Sequence, residues 1–302
     1  MPAFLLKPAC KDYLWGGEQL RTRYHIESDC EPLAEAWVLS CHPDGPSALA
    51  ATGQTLPDYI ATHPGCLGTD CDAFAEFPVL VKLIDAKADL SIQVHPSDEY
   101  ALAHEHQYGK TEMWVVLDAE PGAYLYYGFA RPITREEFAR RIEENTLTDV
   151  LNAVPVKKGD VFFIPAGTLH AICRGILIAE IQQSSNVTYR VYDYGRRGAD
   201  GKTRALHIAQ ALDVTSLEPA QPPKHGAHLG NCRYFTTDAC TAPCEGTADG
   251  RSFVHLLVTE GSGTLTCDGD MLPLAAGSSV FMPADSGAYR VAGNCRLLVT
   301  RV

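Results

Sequence analysis

One phrase of the sequence occurs twice. Gly159-Asp-Val-Phe-Phe-Ile-Pro165-Ala, near the middle of the chain, is matched by Gly277-Ser-Ser-Val-Phe-Met-Pro283-Ala close to its end. Upstream of these, Trp114–Glu120 pairs in the same way with His255–Gly261. A glycine turn followed by an apolar run that stops at proline is typical of a short buried strand. The repeat therefore predicts two copies of one β-unit, for which 302 residues provide enough chain.

The first copy is longer than the second, and a helix accounts for the difference. Thr134-Arg-Glu-Glu has the spacing of a helix-capping box, and apolar residues follow it at helical intervals. We therefore expect a helical insertion at about residues 134–152. Around it the pattern predicts strands at Phe77–Val94, Val161–Ile164 and Ile176–Ile181, and a hairpin that joins Met113–Leu117 to Tyr124–Tyr127.

A polar, proline-rich segment at 216–224 separates the two copies. We accordingly expect a mainly β protein with an N-terminal domain at 1–215, which contains the helical insertion, and a C-terminal domain at 225–302. The second copy lacks the histidine that is a candidate metal ligand in the first. His170 follows Pro165 at the spacing at which Ala288 follows Pro283, so ligand residues are expected only in the first domain. In the upstream match between the two copies, Phe253 occupies the position that corresponds to Glu112.

Composition excludes several classes of protein. A formal net charge of −12 argues against an extended nucleic-acid surface, although a small anionic ligand can still occupy a local basic pocket. No apolar run is long enough for a membrane span. The cysteine count of 11 is odd, and the first residues lack the layout of a signal peptide, so we expect reduced thiols and a cytoplasmic protein, either a monomer or a homodimer.

The region from Gln93 to His170 contains the residues of a metal site. Gln93 and His95 share one face of a predicted strand, Glu112 begins another, and Pro165-Ala-Gly-Thr-Leu ends in a turn that presents His170. Two imidazoles, one carboxylate and one amide oxygen suit zinc, with iron or manganese as weaker choices. The spacing Gly159-x5-Pro165-x-Gly167-x2-His170 resembles the second motif of cupins, which are jelly-roll-like β-barrels. The resemblance implies one such barrel for each repeat, a metal-binding barrel followed by a degenerate one.

Six blocks in order resemble a more specific family, the type I mannose-6-phosphate isomerases in their short bacterial form. The blocks are Trp37–Ser47, Phe77–Lys82, Ser91–Pro96, Gly109–Trp114, Pro165–His170 and Glu180–Tyr194. The resemblance implies an enzyme of mannose metabolism that interconverts mannose 6-phosphate and fructose 6-phosphate. It also implies one zinc ion per chain, bound by Gln93, His95, Glu112 and His170.

The same resemblance assigns roles around the metal. Arg190, Glu180 and Lys110 correspond to active-site residues of the family, with Glu180 or Lys110 as the proton-transferring group and Arg190 stabilising developing charge. Lys82 and Ser91 correspond to phosphate-binding positions. Asn186 stands where the family commonly has an aspartate that has been proposed to help open the sugar ring. Because an amide cannot exchange a proton as a carboxylate does, that role would pass to Asp193, a histidine or water.

Two other functions fit parts of the pattern. A metal-dependent cupin dioxygenase would use a similar histidine-rich shell, although the glutamine ligand and the lysines and arginine argue against it. A non-catalytic sugar-phosphate-binding cupin would keep the pocket without the proton chemistry, and the asparagine at 186 favours it.

Overall fold

The computed structural model of the chain describes residues 2–197, 201–220 and 228–302. Residue 225, where the second domain is expected to begin, lies outside these ranges. The described residues form two compact units, and in both of them the strands outnumber the helices. None of these helices combines the length and the apolar character that a membrane span requires.

The first unit comprises residues 2–12, 18–84 and 228–302. Its helices are α1 (Gln19–Thr22) and α2 (Leu56–Thr62). Its strands are β1 (Phe4–Lys7), β2 (Ala9–Lys11), β3 (Glu35–Leu39), β4 (Ala48–Leu49), β5 (Val79–Ala86, the last two residues of which belong to the second unit), β14 (Gly230–Asn231), β15 (Thr236–Thr241), β16 (Cys244–Ala248), β17 (Val254–Cys267), β18 (Asp270–Ala275), β19 (Ser279–Met282) and β20 (Gly287–Arg301). An apolar core that includes Val254, Leu256, Met282 and Tyr289 lies against the β17–β20 strands.

The second unit comprises residues 13–17, 85–197 and 201–220. Its helices are α3 (Asp98–His104), α4 (Arg135–Glu143) and α5 (Ile208–Val214). Its strands are β6 (Ile92–Val94), β7 (Glu112–Ala119), β8 (Tyr124–Phe129), β9 (Leu151–Pro155), β10 (Val161–Ile164), β11 (His170–Ile172), β12 (Ile176–Gln183) and β13 (Tyr189–Tyr192). One antiparallel sheet has the order β13-β6-β11-β8-β9, and a second contains β10-β7-β12.

The two units do not coincide with the expected domains at 1–215 and 225–302. The first residues of the chain belong to the same unit as its end, because β1 pairs with β19 through Phe4 and Phe281. A strand from one end of the sequence that completes a sheet at the other leaves no local signal in the sequence.

The mainly β, cupin-type fold class is confirmed, and so is the local geometry of the repeat. Gly159 and Gly277 both adopt a positive φ, of 90° and 91°, which a residue with a side chain rarely adopts. The strands that follow, β10 and β19, end directly before Pro165 and Pro283, and each proline carbonyl accepts a hydrogen bond from the backbone N–H three residues later. The two phrases thus fold in the same way.

The upstream alignment of the repeat is wrong by one residue. Glu112 pairs with Ile164 on β10, and the residue that pairs with the equivalent Met282 on β19 is Val254, not Phe253. A slip of one position in a strand moves every side chain to the opposite face. The true counterpart of Glu112 is therefore a core valine, which still leaves the second copy without a carboxylate at this position.

The predicted hairpin is also wrong. β7 and β8 are strands, as expected, but β7 pairs with β10 and β12, whereas β8 pairs with β9 and β11. The turn at Glu120–Ala123, with Gly122 at a φ of 83°, carries the chain from one sheet to the other. A tight turn between two strands has the same sequence signature in both arrangements.

The helical insertion begins as its sequence predicts. Thr134 caps α4, and its hydroxyl accepts a hydrogen bond from the backbone N–H of Glu137 at 3.1 Å. The Glu137 carboxylate binds Arg131 instead of closing the capping box. Phe138 and Ile142 are buried on the inner face of the helix, in the core of the second unit.

Candidate active site and metal centre

The strand pairing of the second unit places three predicted site residues in one row. On β6, Gln93 lies directly opposite His170 of β11 on one side and opposite Arg190 of β13 on the other. Directly opposed residues of an antiparallel pair project from the same face of the sheet. The amide, the imidazole and the guanidinium group therefore share one face, although they are far apart in sequence.

A second row comes from the other sheet. Glu112, the first residue of β7, lies opposite Gln182 of β12, and Trp114 lies opposite Glu180. Residues two apart on a strand point to the same face, so these four side chains lie together. Apart from His95, which directly follows β6, the predicted ligands therefore occupy regular positions on strands.

Three ligand groups converge in the interior. His95 Nε2 lies 3.5 Å from Glu112 Oε2, and His170 Nε2 lies 3.3 Å from Glu112 Oε1. The two histidines and the carboxylate are at most 1% exposed. The ligand atoms of the three side chains all lie within 4.8 Å of one another. Within the described residues, no other group of three or more histidine, cysteine or acidic side chains meets this limit.

Both imidazoles are oriented by backbone carbonyls. His95 Nδ1 lies 2.8 Å from the carbonyl oxygen of Val187, and His170 Nδ1 lies 2.8 Å from that of Thr168. A carbonyl oxygen only accepts, so each Nδ1 carries the proton and each Nε2 keeps its lone pair. Burial lowers the pKa of His170 to about 4, which keeps this imidazole neutral near pH 7.

The donor set fits a divalent metal ion. Two neutral imidazole nitrogens and one carboxylate already face each other, and Gln93 adds an amide whose Nε2 lies 3.4 Å from His170 Nε2. Rotation of this amide by half a turn exchanges its nitrogen and oxygen and directs the oxygen toward the cluster. A buried cluster that fits a metal site is thus formed by His95, Glu112 and His170, with the Gln93 amide beside it.

Two charged side chains adjoin this cluster. Lys110 Nζ lies 2.6 Å from Glu112 Oε2, 3.3 Å from His95 Nε2 and 3.4 Å from Glu180 Oε1. Lys110 and Glu180 are 4% and 3% exposed. Trp114 donates its indole N–H to the other Glu180 oxygen at 2.9 Å. An ammonium and a carboxylate are thereby held in contact beside the metal ligands, where they can exchange a proton.

Arg190 lies at the other end of the β6 row. Its Nη1 donates to the carbonyl of Ala205 at 3.2 Å, whereas its Nε is buried and has no hydrogen-bond partner within the described residues. Burial, and next the nearby charge of Arg204, lower the pKa of its guanidinium group. A cation in this environment gains by taking an anionic ligand.

Asp193 is held by two other arginines. Arg204 donates to both of its carboxylate oxygens, at 2.7 and 2.6 Å, and Arg196 donates to Oδ1 at 2.6 Å. Burial alone would raise the pKa of Asp193, but these hydrogen bonds outweigh it and lower the pKa. The carboxylate is therefore ionised and fully engaged, which favours an anchoring role over proton exchange.

Comparison with known proteins gives a consistent family. The model of "Phosphomannose isomerase type I, catalytic domain" matches residues 3–117, and that of "Mannose-6-phosphate isomerase, cupin domain" matches 227–302. A probable mannose-6-phosphate isomerase of Bacillus subtilis is 37% identical, over 99% of this chain and 98% of its own length. The chain belongs to the type I phosphomannose isomerase family.

Two solved structures extend the comparison. The crystal structure of the mannose 6-phosphate isomerase from Bacillus subtilis has a TM-score of 0.91 at 32% identity, and the match covers 100% of both chains. A mannose 6-phosphate isomerase bound with zinc and yttrium shares the fold, with a TM-score of 0.79 at 20% identity over 99% of each chain. The family suggested by the six sequence blocks is therefore confirmed.

The remaining residues that the phosphomannose isomerase resemblance singled out have different settings. Ser91 is buried, with its Oγ 3.4 Å from Gln93 Oε1. Asn186 lies in the connection between β12 and β13, next to Val187, whose carbonyl orients His95. Lys82 belongs to the first unit, where its Nζ lies 3.7 Å from Glu35 Oε2 and 4.9 Å from the centre of the Trp37 ring.

Sequence reasoning missed two side chains of the site. Trp114 was recognised only as part of the repeat and of one family block, without a role of its own, yet it binds Glu180 and packs edge-on against His170 at 5.3 Å between ring centres. Gln183 was not singled out, although it is buried and uses both ends of its amide. For Trp114, its position two residues after Glu112 on the same strand was an available signal.

Proposed function

We propose that this chain catalyses the interconversion of mannose 6-phosphate and fructose 6-phosphate at the buried site of the second unit. The observation that supports this most directly is the junction of the His95–Glu112–His170 cluster with the Lys110–Glu180 pair through Glu112 Oε2. Metal ligands and proton-transferring groups are thus next to each other, as an aldose–ketose isomerisation requires.

The bound metal is proposed to be zinc, one ion per chain, held by Gln93, His95, Glu112 and His170. Mixed nitrogen and oxygen donors of this kind suit zinc, and a related fold is known in a mannose 6-phosphate isomerase bound with zinc and yttrium. When bound, the ion supplies a positive charge that polarises the sugar oxygens and lowers the cost of an enediolate.

The protein side chains are proposed to move the proton. The reaction moves one proton from C2 to C1 and a second from O2 to O1, so a single group that takes up and releases a proton suffices only for the transfer between the two carbons. Glu180 and Lys110 are the candidates. They are 3.4 Å apart, so a proton on the ammonium can pass to the carboxylate, and the hydrogen bond from Trp114 fixes the carboxylate in place.

The arginines are proposed to stabilise negative charge in the site. Arg190 shares a sheet face with Gln93 and has a buried Nε with no partner in the described part of the chain, so it can stabilise charge that develops on the sugar oxygens. Ser91 remains a proposed phosphate ligand of this site. For Lys82, which belongs to the first unit, the proposed phosphate-binding role rests on the family resemblance alone. Asp193 is proposed to fix Arg196 and Arg204, and Asn186 to bind the sugar without exchanging a proton.

A coupled assay for fructose 6-phosphate formation from mannose 6-phosphate tests this function. Turnover that is lost on chelation and restored by stoichiometric zinc is expected, with elemental analysis showing one zinc per chain. Binding of mannose 6-phosphate without conversion by the zinc-loaded protein would refute the proposal and would favour a sugar-phosphate-binding cupin. Nothing in the family comparisons favours the dioxygenase.

Location and assembly are also proposals. The enzyme is proposed to act in the cytoplasm as a monomer or a homodimer. All 11 cysteines lie in the described residues and are free thiols, as is usual for proteins of a reducing compartment.

A further inference from the structure

We propose that Gln183, acting with Asp98, is a positioning residue that holds Lys110 in the catalytic site. This inference depends on the proposed function only for the role of Lys110. The contacts that support it all lie within the second unit, and neither residue touches the metal ligands in the hydrogen bonds described below.

Gln183 binds the backbone on the C-terminal side of Lys110. Its Oε1 accepts a hydrogen bond from the N–H of Thr111 at 2.7 Å, and its own backbone N–H donates to the Thr111 carbonyl at 3.0 Å. Both polar groups of the Thr111 backbone are thereby used by one residue. The Gln183 side chain is only 3% exposed, so little water competes for these bonds.

Asp98 binds the backbone on the other side of Lys110. Its Oδ1 accepts the N–H of Gly109 at 2.9 Å and also the side-chain Nε2 of Gln183 at 2.9 Å. The amide and the carboxylate together therefore bridge residues 109 and 111. The N–H of Lys110 itself donates to the carbonyl of Pro96 at 3.0 Å.

Gly109 shows how closely this segment is held. A Cβ atom at this position would collide with backbone atoms of Pro96, Ser97 and Asp98. Backbone therefore packs directly on backbone here, so the segment has no space to shift toward residues 96–98. The Lys110 side chain has four carbons joined by rotatable bonds and is flexible by itself. A fixed backbone therefore limits where its ammonium can go.

The precision matters because Lys110 Nζ must reach two carboxylates at once. It lies 2.6 Å from Glu112 Oε2 and 3.4 Å from Glu180 Oε1. Displacement of a catalytic group by about 1 Å can reduce turnover by about a hundredfold. A broken bridge should accordingly lower kcat while the metal ligands stay in place.

The test exchanges the charges of the bridge in the full-length, zinc-loaded enzyme. Gln183→Glu opposes two carboxylates at 2.9 Å and should lower kcat at least about tenfold, with KM changed less. Asp98→Asn alone keeps the acceptor oxygen and should be close to wild type. In the double variant the amide introduced at position 98 can donate to the carboxylate introduced at position 183, which removes the repulsion, but the amide nitrogen cannot also accept the Gly109 N–H. Its kcat should therefore rise above that of Gln183→Glu without reaching that of wild type. Gln107→Glu, at an exposed position in the same region, is the matched control.

A second readout does not depend on turnover. Acetic anhydride modifies accessible lysines, and mass spectrometry of the peptide that contains Lys110 reports how well this buried residue is protected. Protection should be strong in wild type and Gln107→Glu, weak in Gln183→Glu and partly regained in the double variant. Gln183→Met, which loses both amide hydrogen bonds without adding charge, provides the same comparison if Gln183→Glu does not fold.

The outcomes separate the two proposals. If wild type fails to convert mannose 6-phosphate, the proposed function fails, and the labelling of Lys110 still decides whether Gln183 positions it. If Gln183→Glu and Gln183→Met match Gln107→Glu in kcat and in Lys110 protection, the positioning role is overturned. A double variant no better than Gln183→Glu would overturn it as well.

Discussion

The ammonium of Lys110 lies 2.6 Å from Glu112 Oε2, one of the oxygens that face the two imidazoles. A lysine cation therefore contacts a carboxylate oxygen that a metal ion bound by this cluster would also use. This relationship links metal binding to the proposed proton transfer, because a bound ion would draw Glu112 away from Lys110 and leave the ammonium with Glu180, 3.4 Å away.

Removal of Lys110 should separate metal binding from turnover. Lys110→Met takes away a competing cation, so we expect zinc to bind at least as tightly as in wild type, while kcat falls by about a hundredfold or more. Zinc affinity by competition with a chromophoric chelator, and kcat by the coupled assay, check this. Loss of zinc from Lys110→Met would show that the lysine supports the metal site.

Glu180→Gln should have a similar effect on kcat, again with zinc retained. Its amide can still accept from Trp114 but cannot take up a proton. If Glu180→Gln and Lys110→Met both kept near-normal kcat with zinc bound, neither residue would be the proton-transferring group.

Trp114→Phe should have an intermediate effect. It keeps most of the aromatic contact with His170 but removes the 2.9 Å hydrogen bond to Glu180. We expect kcat to fall by about tenfold, since a charge-assisted hydrogen bond contributes about 1.5 to 3 kcal/mol. Steady-state kinetics with a zinc determination would measure it, and an unchanged kcat would show that Glu180 needs no such anchor.

Asp193→Asn should affect substrate binding more than chemistry. The substitution weakens three hydrogen bonds from Arg196 and Arg204, which then lose their fixed positions. We expect KM for mannose 6-phosphate to rise by about tenfold, the effect of roughly 1.4 kcal/mol, with a smaller change in kcat. A large loss of kcat at unchanged KM would instead indicate that Asp193 exchanges a proton during the reaction.

Protonation of His255 should lower the free energy of unfolding of the enzyme in mild acid. It is 0% exposed, its Nε2 contacts Ser279 Oγ at 2.8 Å, and burial lowers its pKa from 6.5 to about 3. Because the unfolded chain then binds the proton more readily, stability is complete above about pH 6.5 and falls as the pH drops toward 3.

Urea unfolding at pH 7 and pH 5 measures this effect. When the pH falls from 7 to 5, the free energy of unfolding should decrease less in His255→Gln than in wild type, by about 1 to 2 kcal/mol. An equal loss in both proteins would show that other groups dominate the acid response.

The sequence was informative where a local pattern determines the geometry. The glycine turn at 159, the strand to Pro165 and the histidine at 170 follow one another in the chain, so their spacing predicts a turn that presents a ligand. The alternation around Gln93 and His95 predicted that both side chains point to the same side of the chain. Arg190 and Glu180 came only from the family resemblance, because their neighbours in the site are set by strand pairing over long distances.

The errors have a common physical origin. All of them depend on which strands pair. This holds for the partners of β7, for the inclusion of β1 in the first unit and for the one-residue slip at Val254. Hydrophobic alternation shows that a strand exists but does not identify its neighbour. The bridge between Gln183 and Asp98 was missed for the same reason, since it connects a strand end to the start of a helix across many residues.

In the second copy of the repeat, an apolar side chain occupies the position at which the first copy has the Glu112 carboxylate. The valine that corresponds to Glu112 packs in a core with Leu256, Met282 and Tyr289, and Ala288, at the spacing of His170, is exposed. Val254→Glu would therefore bury a lone carboxylate among apolar side chains, at a cost of several kcal/mol. The two halves share a backbone pattern but can no longer exchange roles by a few substitutions, so any engineered second metal centre would require a rebuilt interior.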